Sequence, residues 1–170
     1  MKTGLVKGAL AAAIWSSSTV FGTFASAEEV NATIVAGHPP VFRWVKHASQ
    51  TFIPAVNTAL EGSGTTITWS EQYGGSLAKV GDELEAVEEG LAEIGLVSSL
   101  FDPGMLSVQN VTYFTPFVSS DSTLVANWMD DLQHTNADMK ASWAANGLEY
   151  LGGAIVIDDY RLMTNFPINS

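Results

Sequence analysis

The fold is decided by residues 73–99, YGGSLAKVGDELEAVEEGLAEIGLVSS, which join a glycine-rich loop, a short helix and a strand. Asp82 is placed to cap the helix, and Glu85, three residues later, would complete a motif close to a capping box. The run IGLV at 94–97 is apolar at successive positions, as in a parallel strand that helices cover on both faces. This spacing predicts an α/β domain with a glycine-rich ligand loop.

The helix within this stretch is predicted to be amphipathic. Leu84, Val87 and Leu91 fall at i, i+3 and i+7, which predicts one narrow apolar face. Gly90 is a plausible C-terminal stop. Much of the rest of the helix surface is predicted to carry glutamates: Glu83, Glu85, Glu88 and Glu89.

Two strands are predicted before this stretch. Residues 31–36 (NATIVA) and 65–69 (TTITW) are short, β-branched and bounded by turn residues. A helix is predicted to begin at about Phe42, and Pro54 predicts a kink or a boundary before residues 55–60. Strands that alternate with helices favour an open, mainly parallel sheet.

The alternation is predicted to continue after residue 99. Asp121 can cap one helix, residues 136–146 form a second, and residues 148–157 read as an apolar strand. Six aromatic residues are assigned mostly to the core: Trp69, Tyr73, Phe101, Tyr113, Phe114 and Phe117.

The N-terminus has the pattern of a secretory signal peptide, which we assign to residues 1–27. Lys2 and Lys7 precede an apolar run, and Ala25-Ser26-Ala27 supplies a small-x-small cleavage site. A retained anchor is the alternative, although the serines and threonine at 16–19 make this run a poor membrane span. The sequence therefore predicts a periplasmic protein with no stable membrane insertion after cleavage near Ala27.

The amino-acid composition limits the kinds of partner that the protein is expected to bind. The chain has 18 acidic and 7 basic residues, and removing Lys2 and Lys7 would leave a formal charge of −13, five basic residues against eighteen acidic. Such a charge disfavours nucleic acid and anionic lipid, which both require clustered cations. The chain has no cysteine, so neither disulfides nor a lipid-modified cysteine is expected.

Candidate ligand contacts follow from the predicted topology. In open parallel sheets, ligands bind beyond the carboxyl ends of the strands, which singles out the loops at 38–42, 69–80 and 98–104. His38 follows the first strand, Tyr73 lies in the second loop, and Arg43 is a cation at a helix N-terminus, where anions are favoured. Solvated or core roles are the alternatives for each. The three histidines have no metal-ligand spacing, and no catalytic constellation is evident, so neither a metal nor another cofactor is predicted.

As a string, residues 73–99 resemble the solute-binding proteins of TRAP transporters, whose run here is GGxLG…E…L…AV…G…(D/E)IGLV(S). The resemblance implies a type II periplasmic-binding-protein-like fold whose two lobes close over a solute. It also implies capture of an organic acid and its delivery to the membrane permease subunits, without enzymatic activity. On this interpretation residues 28–157 are the first lobe, and residues 158–170 begin the crossover strand and hinge.

The resemblance also implies specific contacts. Residues 159–170 resemble the pattern G-x-R-x-x-T-x-x-x-I-x-S, with Asp159 replacing the glycine, so Arg161 is expected to pair with the ligand carboxylate. Ser98 follows the GLV strand, where some members place a polar ligand contact, although a serine there is often a turn former. The K-G-x-K-x-R segment of full-length members is absent, and we therefore expect a fragment truncated before the second lobe.

Two other functions stay open from the sequence. The same lobe could belong to a receptor that presents its ligand to a sensor kinase or chemoreceptor. An enzyme on the same scaffold would need a nucleophile and a base that residues 28–170 do not offer.

Overall fold

The computed structural model describes residues 28–115, 118–153, 155 and 163–167. Its centre is an open, three-stranded parallel sheet in the order β2-β1-β3, with β1 at Glu28–Ala36, β2 at Thr65–Tyr73 and β3 at Ile94–Gly95. β1 pairs with β2 along its whole length and with β3 at Ile34 and Val35. The predicted α/β class with an open parallel sheet is therefore confirmed.

Both faces of the sheet are covered, as the apolar strands predicted. Ile34 and Val35 are fully buried neighbours on β1, and successive side chains on a strand point to opposite faces. Ile34 packs with Ala48 and Ile53 in one cluster. Val35 packs on the other side in a second cluster, whose buried members also include Ala78, Ala86 and Ala92.

A helical segment covers the Ile34 face. It consists of α1 at Arg43–His47, a π-helical turn at Ala48–Phe52 and α2 at Ile53–Ala59. The predicted interruption near Pro54 is thus a widened turn, and the helical path continues through it. Proline lacks a backbone N–H and its ring crowds the carbonyl four residues earlier, and a π turn is a regular way of absorbing such a defect.

On the Val35 face lies α3, Glu83–Glu88, where three predictions were wrong. The Asp82 side chain makes no capping hydrogen bond. Leu91 is 53 % exposed because the helix ends at Glu88, before that position could join the apolar face. Glu83, predicted to lie on the helix surface outside the apolar face, is completely buried. The predicted stop is confirmed, since Gly90 has φ +73° directly after the helix.

Between residues 99 and 144 the described elements are all helical. Two 3₁₀ turns at Ser99–Phe101 and Ser107–Asn110 lead into α4 at Val111–Phe114. α5 then spans Ser122–Thr135 and α6 spans Ala137–Ala144. The predicted Asp121 cap is confirmed, because its side chain accepts two backbone N–H groups at the start of α5. Asn136 caps α6 in the same way, which was not predicted.

A buried amide network ties these helices together. Gln109 donates to the Met139 carbonyl (3.1 Å) and accepts from Gln133. Gln133 in turn accepts from the Trp143 indole (2.9 Å). Buried side-chain amides bonded in this way rigidify a core, so this network holds α5 and α6 against the second 3₁₀ turn.

Two expectations for the C-terminal half were wrong. Of the strand predicted at 148–157, residues 148–153 form no strand, and residues 154, 156 and 157 lie outside the described residues. The Leu148 amide instead donates to the Trp143 carbonyl just after α6. Three of the aromatics assigned to the core are exposed: Phe101 (49 %), Tyr113 (41 %) and Phe114 (70 %). Phe117, the proposed signal peptide and most of residues 158–170 lie outside the described residues. Within the described ranges, no helix is long and apolar enough to cross a membrane.

Candidate functional site

Three loops meet at the carboxyl edge of the sheet, one after each strand. The loop after β1 receives backbone hydrogen bonds from the loop after β2: Gly74 donates to the His38 carbonyl (3.1 Å) and Gly75 to the Ala36 carbonyl (3.5 Å). Gly74 and Gly75 have φ of +69° and +79°, a region that glycine adopts without steric cost. The double glycine therefore turns the chain back onto the end of β1.

The loops after β1 and β2 also touch at Gly37. A Cβ at this position would lie 2.3 Å from the Val80 nitrogen and 2.4 Å from the Lys79 carbonyl carbon. These are backbone atoms and cannot swing aside like a flexible side chain. The second loop thus crosses directly over Gly37, and only a residue without a side chain allows that approach.

Glu83 connects the same two loops through its buried carboxylate. One oxygen accepts the Gly37 N–H (2.9 Å) and the other accepts the Gly81 N–H (2.7 Å). This role of Glu83 was not predicted from the sequence. The available signal was a carboxylate in the first turn of a helix, directly after a glycine-rich loop whose buried N–H groups need acceptors.

His38 lies in an aromatic cluster at the end of β1. Its half-buried ring packs edge-on against Phe42 (5.0 Å between ring centroids) and Trp44 (4.9 Å), and lies 6.4 Å from Phe101 of the third loop. Its Nδ1 is buried and has no hydrogen-bond partner among the described residues. An unpaired buried polar atom costs about 1–3 kcal/mol, so this nitrogen is available to a ligand or to water.

Tyr73 is half-buried at the end of β2, and its hydroxyl likewise has no partner in the described part of the chain. Burial raises the pKa of this hydroxyl most, the neighbouring Ser49 side chain lowers it, and the nearby Glu71 carboxylate raises it, so that the net shift is upward. The group is therefore protonated at neutral pH and can donate a hydrogen bond.

Ser98 is half-buried between β3 and the first 3₁₀ turn. Its carbonyl accepts the Phe101 N–H (3.0 Å), so the residue forms part of a turn, which was the alternative to a ligand contact. The sheet brings His38, Tyr73 and Ser98 to one edge, since each follows or ends one of three adjacent parallel strands.

Asp102 is a polar group at this edge that the sequence analysis did not single out. It follows the 3₁₀ turn after β3, and its Oδ2 is buried without a partner among the described residues. Burial raises the pKa of its carboxyl, and the acidic neighbours Glu83, Glu88 and Asp82 raise it further. The ionised form of Asp102 is therefore disfavoured in the folded chain.

We expect Asp102→Asn to raise the melting temperature at pH 7 by a few degrees, because it removes a charge held in an unfavourable position. The folded-state pKa lies above the ordinary value, so ionisation costs stability as pH rises through the folded-state value. The gain should consequently vanish at a pH below the ordinary carboxyl pKa, where the wild-type group is neutral. Thermal unfolding of both proteins at several pH values would check this.

The control is Asp131→Asn, which makes the same charge change at an exposed position on α5. A stabilisation of equal size in the control would attribute the effect to net charge and not to the surroundings of Asp102.

The two arginines predicted as ligand contacts are not grouped with these residues. Arg43 is exposed and lines a shallow depression on the helical segment, to which no residue of the loops after β2 and β3 contributes. Arg161 lies outside the described residues. Within the described ranges, no group of three or more His, Asp or Glu side chains is arranged to hold a metal ion.

Comparisons with known proteins add no assignment. No model of a known protein family matches the sequence, and no curated protein matches it significantly.

Proposed function

We propose that this chain is the first lobe of an extracytoplasmic solute-binding protein of a TRAP-type transporter, with a type II periplasmic-binding-protein-like fold. The observation that carries the proposal is the carboxyl edge of the sheet, where His38, Tyr73 and Asp102 each have a buried polar atom without a hydrogen-bond partner among the described residues. Ligand sites of open parallel sheets lie at this edge. The resemblance of residues 73–99 to the TRAP receptors is the reason for proposing this family.

The ligand class we propose is an organic acid. Arg161 would bind its carboxylate through two parallel hydrogen bonds, which a planar guanidinium favours over a lysine. The Tyr73 hydroxyl and the His38 ring would contact polar groups of the same molecule, and Asp102 in its ionised form would accept from a ligand hydroxyl or amine. Ser98 is a further candidate contact at the end of the third strand.

The mechanism implied for such a receptor is closure of two lobes over the solute in the periplasm, followed by delivery to integral membrane permease subunits. Closure requires contacts that the ligand makes in the closed form and not in the open one. A ligand with equal affinity for both forms would not change the equilibrium between them. Arg161, in the proposed hinge, can supply such a contact because its position changes with the angle between the lobes.

We expect Arg161→Ala to weaken carboxylate binding by about 1.5–3 kcal/mol, the range for a hydrogen bond to a charged group. This corresponds to a loss of affinity of about 10- to 150-fold. A thermal-shift screen of mono- and dicarboxylates, keto acids and sugar acids would first identify carboxylates that bind. Calorimetric titration of the protein expressed from its natural gene with these carboxylates would then measure the change in affinity.

The matched control is Lys140→Ala, which removes an exposed cation from α6. Unchanged affinity in the Arg161 variant would remove this residue from the site. Failure of every screened carboxylate to bind the wild-type protein would contradict the proposed ligand class.

A further inference from the structure

The outer face of the first helical segment concentrates positive charge in an otherwise acidic chain. Arg43, Lys46 and His47 lie at i, i+3 and i+4 of this segment, and Gln50 and Thr51 follow one turn later. Side chains at these spacings are neighbours on one helix face. Together with Val41 they line the shallow depression, about 430 Å³ in volume; we call this surface the 43–51 face.

The cations on this face have no acidic partner in the described part of the chain. Neither Arg43 nor Lys46 forms an ion pair with a described residue, although the chain has 18 acidic side chains against 7 basic ones. His47 Nδ1 lies 3.0 Å from the Thr51 hydroxyl, which leaves its other ring nitrogen available. Apart from Val41, every lining side chain can donate a hydrogen bond, so the face is complementary to an acidic group.

The shape of the depression favours a segment of a larger molecule over a small anion. All five polar lining residues are exposed, and Val41 is 83 % exposed. Sites for small molecules enclose most of the ligand surface, and this face does not. The distance from Arg43 to Thr51 along a helix is about 12 Å, which about four residues of extended chain would cover.

We propose that the 43–51 face docks an acidic, extended segment of a partner protein. Carboxylates of the segment would contact Arg43, Lys46 and His47, and an apolar side chain beside them would cover Val41. This inference goes beyond the proposed solute site, because the loops after β2 and β3 do not contribute to the face. The acidic side chains elsewhere on the protein would repel an acidic partner and so orient it toward the 43–51 face.

The test uses a fluorescein-labelled peptide of alternating glutamate and serine, about ten residues long, to span the face. Fluorescence anisotropy should show binding to the wild-type protein that weakens as salt is raised, because exposed charges are screened. Arg43→Glu and Lys46→Glu should each weaken the peptide affinity about tenfold, since a like charge replaces an attractive one. Lys140→Glu makes the same change on α6, and it should leave the affinity unaltered.

Equal peptide binding by the Lys46 and Lys140 variants would overturn the proposal, as would the absence of binding to the wild-type protein. Inhibition by citrate or inorganic phosphate at concentrations comparable to the peptide would also overturn it, because the face would then be a small-anion site. Carboxylate titration of the Lys46→Glu protein is expected to match that of wild type, which separates this test from that of the proposed function. Circular dichroism spectra would establish that each variant is folded.

Discussion

Gly37→Ala is expected to destabilise the fold by at least about 3 kcal/mol, the upper part of the usual range for overpacking. The added methyl would lie 2.3 Å from the Val80 nitrogen and 2.4 Å from the Lys79 carbonyl carbon. Relief would require the whole second loop to move away from the end of β1, which would break the Gly37–Glu83 hydrogen bond. Denaturant unfolding, monitored by circular dichroism, would measure the change in the free energy of unfolding.

Gly104→Ala is the matched control, because a Cβ there meets no atom within 4 Å and its φ is not in the left-handed region. We expect that variant to be as stable as wild type or slightly more stable, since alanine restricts the unfolded chain. If Gly37→Ala unfolded at the same denaturant concentration as Gly104→Ala, the second loop would not cross Gly37 as the structure has it.

The predictions that were confirmed rest on local physics. Asp121 caps its helix because a short polar side chain reaches the first free N–H groups of its own segment. The strands at residues 31–36 and 65–69 lie within β1 and β2, because β-branched runs between turns favour extended structure whatever their partners are. Each of these signals is contained in about ten consecutive residues and does not depend on distant parts of the chain.

The predictions that were wrong depend on distant parts of the chain. Glu83 and Asp82 are polar neighbours at the start of α3, and the local signal for an acceptor carboxylate in the first turn does not say which N–H groups it accepts or how deeply it is buried. The choice is made by the end of β1, 46 positions earlier, where the Gly37 N–H lies within reach of Glu83. The apolar run at 148–153 has the composition of a strand, yet a strand forms only where an edge is free to pair with it in register.

The candidate site was predictable in location but not in detail. Parallel topology alone directs attention to the ends of β1, β2 and β3, and so to His38, Tyr73 and Ser98. Asp102 could not be recognised, because its character comes from burial beside Glu83 and Glu88. Arg43 has the right charge and sits near the right loop, but the helix face groups it with Lys46 and His47.

Glu83→Ala is expected to cost about 3–5 kcal/mol of stability, since each buried N–H left without an acceptor costs about 1–3 kcal/mol. The substitution would orphan the Gly37 and Gly81 amides together and leave a cavity beneath the first turn of α3. A loss of this size is a large fraction of the roughly 5–15 kcal/mol that holds a typical domain. Denaturant unfolding is again the measurement, with hydrogen exchange of the Gly37 and Gly81 amides as a local readout.

Two variants make this test specific. Glu85→Ala removes the same side chain from an exposed position on α3 and should change stability by only a few tenths of a kcal/mol. Glu83→Gln keeps the shape but offers only one acceptor oxygen, so its cost should lie between those of the two alanine variants. A Glu83→Ala protein as stable as Glu85→Ala, with both glycine amides still protected, would mean that the carboxylate does not hold the loops. The packing of the loops at the carboxyl edge of the sheet would then depend only on the close approach of the second loop to Gly37.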